Sequence, residues 1–107
     1  MAEPDTVFRL EELVQYQDGS IVSRKLTTAA GGNVSVFAFG AGEELSEHTT
    51  PHTALLQVLD GQAEIRIAQE THRVASGESI ILPPGVPHAV KAHERFKMAL
   101  TMLKAPA

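Results

Sequence analysis

The sequence predicts an all-β domain, either a sandwich or a barrel of short strands. After residue 20, short apolar runs rich in Val, Ile, Leu and Phe follow one another. Glycine and proline turns separate these runs at close intervals, a spacing typical of antiparallel all-β domains. The chain has 107 residues, of which 43% are hydrophobic, so it can bury one core within a single domain.

Residues 1–20 form a predicted N-terminal extension that packs on or extends a barrel formed by residues 21–104. The extension is polar and mixed, and only LEELV (10–14) indicates a helical turn. Seven apolar runs then predict strands: IVSRKL (21–26), NVSVFAF (33–39), ALLQVL (54–59), AEIRIA (63–68), SIILP (79–83), HAVKA (88–92) and FKMALTML (96–103). Several of them alternate; Ala63, Ile65 and Ile67, for example, share one face. No long helical pattern lies between the strands, which weighs against a parallel α/β sheet.

Composition and charge exclude several classes of function. The formal net charge is −4, which argues against nucleic-acid binding, and the two small basic clusters, Arg24-Lys25 and Lys91 to Lys97, fit solvated strand faces. The absence of cysteine excludes disulfides, thiolate metal sites and cysteine nucleophiles. No apolar run approaches the roughly 20 residues that span a bilayer. The N-terminus does not read as a secretory signal, so we expect a cytoplasmic protein without a membrane partner.

Two glycine-bounded segments carry the histidines that matter most. They are GEELSEHTTPHTALLQVLDG (42–61) and GESIILPPGVPH (77–88). Their spacing resembles the two motifs of the cupin superfamily, small double-sheet barrels of the jelly-roll or double-stranded β-helix type. The positions that match are Gly42, His48 and Gly61 in the first motif and Gly77, Pro83, Gly85 and His88 in the second. The resemblance covers about half of the chain and implies a small single-domain cupin.

The resemblance also implies a divalent-metal site, of which this chain keeps only part. The usual cage has three histidines and one glutamate, but Thr50 stands at the second histidine position and Ala54 at the glutamate position. Ala92 replaces the asparagine that ends the second motif. His48 and His88 would still converge, and His52 is the candidate third ligand if the bend that Pro51 imposes turns it inward. The predicted metal ligands are therefore His48, His52 and His88.

Three functional hypotheses follow, and they leave open whether the protein is an enzyme. In the first, the histidines hold Mn, Fe, Ni, Cu or Zn, which acts on or binds a small organic molecule. In the second, a metal-free barrel binds or senses a small molecule. In the third, His48 or His88 is the base of a metal-independent isomerisation or epimerisation. The predicted pocket comprises Thr50, Ala54, Leu56, Val58 and Met98, and the wider apolar interior adds Ile65, Ile67 and Met102.

The remaining singled-out residues have simpler expected roles. Small cupins commonly dimerise through their outer sheets, so we expect a homodimer, with which the outward positions of Leu55 and Leu59 are consistent. We expect His72 and His93 to be exposed. Glu47 belongs to an acidic cluster that leads into His48, and a solvated face is the preferred interpretation of that cluster.

Overall fold

The structure, a computed structural model, describes residues 2–105 as two antiparallel sheets that pack face to face. A short 3-10 helix, Leu10–Glu12, precedes the strands. The nine strands are β1 (Ile21–Ala29), β2 (Gly32–Phe39), β3 (Glu44–His48), β4 (Thr53–Asp60), β5 (Gln62–Ile67), β6 (Glu70–Ala75), β7 (Ser79–Leu82), β8 (His88–Lys91) and β9 (Phe96–Leu103). Among residues 2–105, no helix is long and apolar enough to cross a membrane.

The chain passes repeatedly from one sheet to the other. The five-stranded sheet has the order β1-β2-β9-β4-β7, and the four-stranded sheet has the order β3-β8-β5-β6. All neighbours pair antiparallel. This arrangement confirms the predicted all-β, jelly-roll architecture. Each of the two sequence motifs contributes one strand to each sheet: β4 and β7 lie in the five-stranded sheet, and β3 and β8 lie in the four-stranded sheet.

The main core lies between the two sheets and is formed by the inward faces of both. Its buried members are Phe39, Ala54, Leu56, Val58, Ala63, Ile65, Val74, Leu82, Val90, Ala92, Phe96 and Met98. Phe39 and Phe96 stack with their ring centroids 4.5 Å apart. Each fully buried large aliphatic or aromatic side chain contributes about 1.5–3 kcal/mol, so this layer is the principal source of stability.

A second, smaller core covers part of the outer face of the five-stranded sheet. Val14 and Leu10 of the N-terminal segment pack there against Val36 and Ala99, which point away from the main core. The ammonium group of Lys97, a residue that is only 9% exposed, donates a hydrogen bond to the carbonyl oxygen of Glu11 (2.5 Å). The segment before β1 therefore lies on the sheet and is fixed by apolar contacts and by polar ones.

Two of the strands, β3 and β6, fall outside the seven apolar runs of the sequence. Both are edge strands of the four-stranded sheet, and most of their residues are exposed or only partly buried. An edge strand needs little apolar surface, so the runs of Val, Ile and Leu do not mark it. The glycines do mark the hairpin between β4 and β5: Gly61 has a φ of 76°, and a Cβ atom there would lie 2.6 Å from the carbonyl oxygen of Arg95.

Candidate functional site

The structure brings two of the three predicted metal ligands, His48 and His88, into direct contact. They are cross-strand partners at the ends of β3 and β8. Their Nε2 atoms are 3.1 Å apart, and the imidazole centroids are 4.3 Å apart in an edge-on arrangement. Residues that lie 40 positions apart in the sequence thus form one paired site between the two cupin-like motifs.

A β-bulge in β3 turns His48 toward its partner. Leu45 packs against the main core, so a regular strand would direct a residue three positions later to the opposite face. The register with β8 shifts between Leu45 and His48, and the irregularity restores His48 to the face of His88. Bulges recur at sites where a strand must redirect one side chain. The chain thereby places His48 at the site although β3 lacks simple alternation.

Backbone carbonyl groups fix the orientation of both imidazole rings. The Nδ1 atom of His48 lies 2.8 Å from the carbonyl oxygen of Ser46, and that of His88 lies 3.3 Å from the carbonyl oxygen of Val86. A carbonyl oxygen only accepts hydrogen bonds, so a proton on each Nδ1 satisfies both contacts and leaves both Nε2 atoms free to act as ligands. The two Nε2 atoms lie 3.1 Å apart, an arrangement that a cation bound by both would stabilise.

Burial favours the neutral form of His88. The residue is only 4% exposed, and this burial lowers its pKa below the usual value of 6.5. The neighbouring His48 lowers the pKa further, against a smaller opposing effect of the Val86 carbonyl. A lowered pKa favours the unprotonated ring, which is the form that binds a metal ion.

His52 lies on the loop between β3 and β4 and contacts the C-terminal segment. Its Nδ1 atom accepts a hydrogen bond from the backbone N–H of Ala105 (3.1 Å), while its own N–H donates to the hydroxyl of Thr50 (3.2 Å). The loop is a bend, as Pro51 predicts, and the N–H of Gly85 donates to the carbonyl of Thr50 (2.8 Å). No group of three His, Cys, Asp or Glu side chains able to hold an ion occurs within residues 2–105. The role of His52 as a third ligand stays a prediction.

The predicted pocket residues divide between the loop and the packed core. Thr50 is half-buried beside His52, whereas Ala54, Leu56, Val58 and Met98 are each at most 2% exposed. These four belong to the main hydrophobic core and contact other core side chains. Only residues 49–52 separate β3 from β4, so Ala54 begins the inward face of β4 just after the loop that leaves His48.

His72 and His93 lie away from this pair, whereas Glu47 of the acidic cluster adjoins it in the sequence. His93 is exposed and its Nε2 lies 2.8 Å from the carboxylate of Glu64, which lowers the pKa of Glu64. Both residues line a cavity of about 210 Å³ on the outer side of the four-stranded sheet. His72 is partly exposed on β6. Glu47, next to His48, forms an ion pair with Arg66 (2.7 Å), a contact for which the sequence gives no direct signal.

The chain matches the model of the cupin domain over residues 35–103, more than half of its length. This chain belongs to the cupin family. This cupin is 38% identical to a conserved protein of unknown function from Streptococcus pyogenes, which covers 98% of this chain and 92% of that chain with a TM-score of 0.92.

Two further solved structures agree with the assignment. A cupin 2 conserved barrel domain protein from Leptotrichia buccalis is 40% identical, with a TM-score of 0.87; the match covers 91% of this cupin but only 47% of that longer chain. A cupin superfamily protein from Desulfitobacterium hafniense shares the fold with a TM-score of 0.90 at 23% identity, covering 97% of this chain and 95% of that chain. No functionally curated protein matches this cupin.

Proposed function

We propose that this cupin binds one divalent transition metal ion through His48 and His88 and uses it to hold a small organic molecule. The observation that carries the proposal is the 3.1 Å separation of the Nε2 atoms of His48 and His88. When two nitrogen atoms bind the same ion at about 2.0–2.1 Å each, and the N–metal–N angle is roughly a right angle, the nitrogens lie about 3 Å apart. The observed separation fits such a pair of neighbouring ligands.

The donor set restricts which ions and which chemistry suit the site. Imidazole nitrogens suit Zn, Cu, Fe and Ni, and Mn is also used in sites of mixed nitrogen and oxygen ligands. A bound ion would act as a Lewis acid toward a carbonyl or carboxylate oxygen of the ligand. The residues of the chain would orient that ion: His48 and His88 as ligands, and the carbonyl groups of Ser46 and Val86 as acceptors that fix both rings.

His52 is the proposed third ligand, and its hydrogen bond with Ala105 limits which ring nitrogen can bind an ion. The hydrogen bond uses Nδ1, so only Nε2 of this ring is offered to an ion unless the contact breaks. We expect His52→Ala to weaken metal binding if His52 is a ligand. If its role is only to hold the C-terminal segment, the variant will bind metal as the wild type does while exchanging its C-terminal amide protons faster.

Metal content and metal titration test the proposal. Protein purified without an affinity tag or chelator, then incubated with Ni²⁺ or Mn²⁺ and desalted, should carry about one equivalent by elemental analysis. His48→Ala should abolish binding; because His48 is exposed, this variant should fold. His72→Ala and His93→Ala are matched controls, since each removes one histidine outside the pair. Less than about a tenth of an equivalent in the wild type contradicts the proposal.

A metal-free binding function is the second candidate, and the residues at the two altered positions favour it. Ala54 offers no carboxylate, and Thr50 offers only a hydroxyl group. In this case His48, Thr50 and His88 would make the polar contacts with a small ligand. Binding to the native state raises its stability by mass action, so a thermal-shift screen separates the candidates. Small molecules that raise the melting temperature equally with and without chelator would support the metal-free function.

We also propose a cytoplasmic homodimer. The uncovered part of the outer face of the five-stranded sheet carries Ile81, 60% exposed, and Leu103, 54% exposed, beside the half-buried Leu55. Leu59, the other outward leucine, packs instead against the N-terminal segment. Burial of the exposed strip against a second copy would remove apolar surface from water, which favours association.

A further inference from the structure

We infer that this cupin carries a second binding site, on the outer face of the four-stranded sheet, for a small zwitterion of the α-amino-acid type. Ala63 and Ile65 are buried in the main core, so Glu64 between them points to the opposite, outer face. The site is a cavity of about 210 Å³, called here the outer cavity, which is lined by Gln62, Ala63, Glu64, Arg73, His93 and Glu94. His88 stands opposite Ile67, which packs against the main core, so the histidine pair lies on the other side of the sheet.

The register of the sheet places an arginine beside Glu64 without pairing the two charges. Glu64 in β5 stands directly opposite Arg73 in β6, and such cross-strand side chains share one face, with Cβ atoms about 4.5–5.5 Å apart. The carboxylate nevertheless contacts His93, whose Nε2 lies 2.8 Å from Oε1 of Glu64. Among the described residues, the guanidinium of Arg73 forms no ion pair. Arg73 therefore brings to the outer cavity a positive charge that the carboxylate of a ligand can neutralise.

Two carboxylates bring negative charge to the same cavity. The hydrogen bond with His93 lowers the pKa of Glu64, and neighbouring positive charges lower it further against an opposing effect of burial, so Glu64 is ionised at neutral pH. The contact with His93 uses Oε1, and within residues 2–105 no side chain or backbone group donates to Oε2. Glu94, on the exposed loop after β8, forms no ion pair with any described residue. An ammonium group has three N–H donors and no acceptor, so these two carboxylates suit it.

The mixture of charges selects the class of ligand. A simple anion would be attracted by Arg73 but repelled by Glu64 and Glu94, and a simple cation would meet the reverse. A molecule that carries a carboxylate and an ammonium group a few bonds apart satisfies both sides at once. Its carboxylate matches the guanidinium fork of Arg73, and the side-chain amide of Gln62 is a further donor on the cavity wall. His93 is a positioning residue, because it holds the carboxylate of Glu64.

The size and the exposure of the outer cavity limit the ligand and its affinity. Pockets for drug-sized ligands measure about 300–1,000 Å³, so a cavity of about 210 Å³ takes a smaller molecule. The side chains of Glu64 and His93 are 33% and 55% exposed, and water weakens ion pairs at such positions. We therefore expect a dissociation constant of about 1 mM for a single small zwitterion.

Three alanine derivatives that differ chiefly in charge test the inference with the full chain. L-Alanine carries both charges, N-acetyl-L-alanine keeps only the carboxylate, and L-alaninamide keeps only the ammonium group. Each is titrated into ¹⁵N-labelled protein at neutral pH while the amide resonances are followed, and a slight excess of EDTA prevents any metal ion from mediating the binding. L-Alanine should shift the amide resonances of the residues that line the outer cavity in a saturable way. Each derivative should bind about fivefold more weakly, or less tightly still.

Single variants separate the two charges of the site. Arg73→Gln and Glu94→Gln each remove one charge, and each should weaken L-alanine binding by about fivefold or more. Arg24→Gln and Glu12→Gln are matched controls, because they remove the same charges from exposed positions outside the outer cavity, and they should bind L-alanine as the wild type does. All four substituted side chains are exposed, so the variants should fold, and the spectrum of each without ligand verifies this. The comparison of the three probes needs no variant.

Three results would overturn the inference. The first is the absence of a saturable shift at the lining residues at about 20 mM L-alanine, roughly twenty times the expected dissociation constant. The second is equal affinity for the three probes, since the site would then not recognise both charges. The third is wild-type affinity of either Arg73→Gln or Glu94→Gln for L-alanine. Each result concerns the outer cavity alone, because EDTA keeps the histidine pair free of metal throughout.

Discussion

Ala54→Glu is the substitution that most sharply probes the altered site. Ala54 is 1% exposed and stands opposite Leu82 and Met102 in the register of β4 with its neighbours. A glutamate there adds one methylene group and a carboxyl group to a filled core, and such overpacking costs about 1–3 kcal/mol. For a domain of this size, that loss lowers the melting temperature by roughly 4–12 °C.

A metal ion should reverse most of this loss. If the new carboxylate reaches the ion held by His48 and His88, metal at a hundred times its Kd stabilises the native state by about 2.7 kcal/mol. The gain is similar in size to the packing cost, so the metal-saturated variant should melt near the metal-free wild type. Thermal denaturation in chelator measures the packing cost, and denaturation in excess Ni²⁺ or Mn²⁺ measures the stabilisation by metal.

Ala54→Gln is the matched control for this prediction. Glutamine has nearly the same shape as glutamate, so the packing cost should be the same, but its neutral amide is a weak ligand. The glutamine variant should therefore lose as much stability and regain much less of it with metal. Equal responses of the two variants to metal would refute the reasoning that a carboxylate at position 54 reaches the ion.

Three further predictions concern stability and assembly. Because the pKa of His88 is lowered in the native state, the contribution of its neutral form to stability is complete above about pH 6.5 and should be lost as the pH falls from there through the native pKa. The loss amounts to about 1.4 kcal/mol for each pH unit by which the native pKa is depressed. Urea unfolding should show this loss in the wild type but not in His88→Asn. Leu56→Ala removes a side chain that is 0% exposed and should cost about 2–5 kcal/mol in the same assay, whereas Val7→Ala, at a residue that is 99% exposed, should cost less than about 0.5 kcal/mol. Light scattering after size exclusion should give a dimer mass for the wild type and a monomer mass for Ile81→Lys; a wild-type monomer would contradict the proposed assembly.

The sequence predicts the two-sheet architecture because the signals for it are local. Alternation in 63–67 and 96–103, together with the glycines of the two motifs, reports which faces are buried and where strands turn. The edge strands β3 and β6 escape this reasoning because they bury few side chains. The motif spacing still required a strand before the loop at 49–52, so the position of β3 could be inferred without its exact bounds.

The candidate site could be predicted in part, for a similar reason. The convergence of His48 with His88 follows from the motif register, and the structure confirms that they meet. The bulge that turns His48 inward could not be predicted, since it depends on pairing with β8 rather than on the composition of β3. The contact of His52 with Ala105 joins residues 53 positions apart with no motif between them. The alternation of side chains along a strand, extended through Pro51, could not reveal this contact.

The central claim, that His48 and His88 together bind a cation through their Nε2 atoms, is tested most directly by nitrogen NMR of the histidine rings. Long-range ¹H–¹⁵N correlation spectra above pH 7 should show His48 and His88 protonated at Nδ1 and unprotonated at Nε2. Addition of Zn²⁺ should shift both Nε2 resonances together, while those of His72 and His93 stay in place. A proton on Nε2 of either ring in the metal-free protein, or a zinc response confined to the surface histidines, would contradict the account.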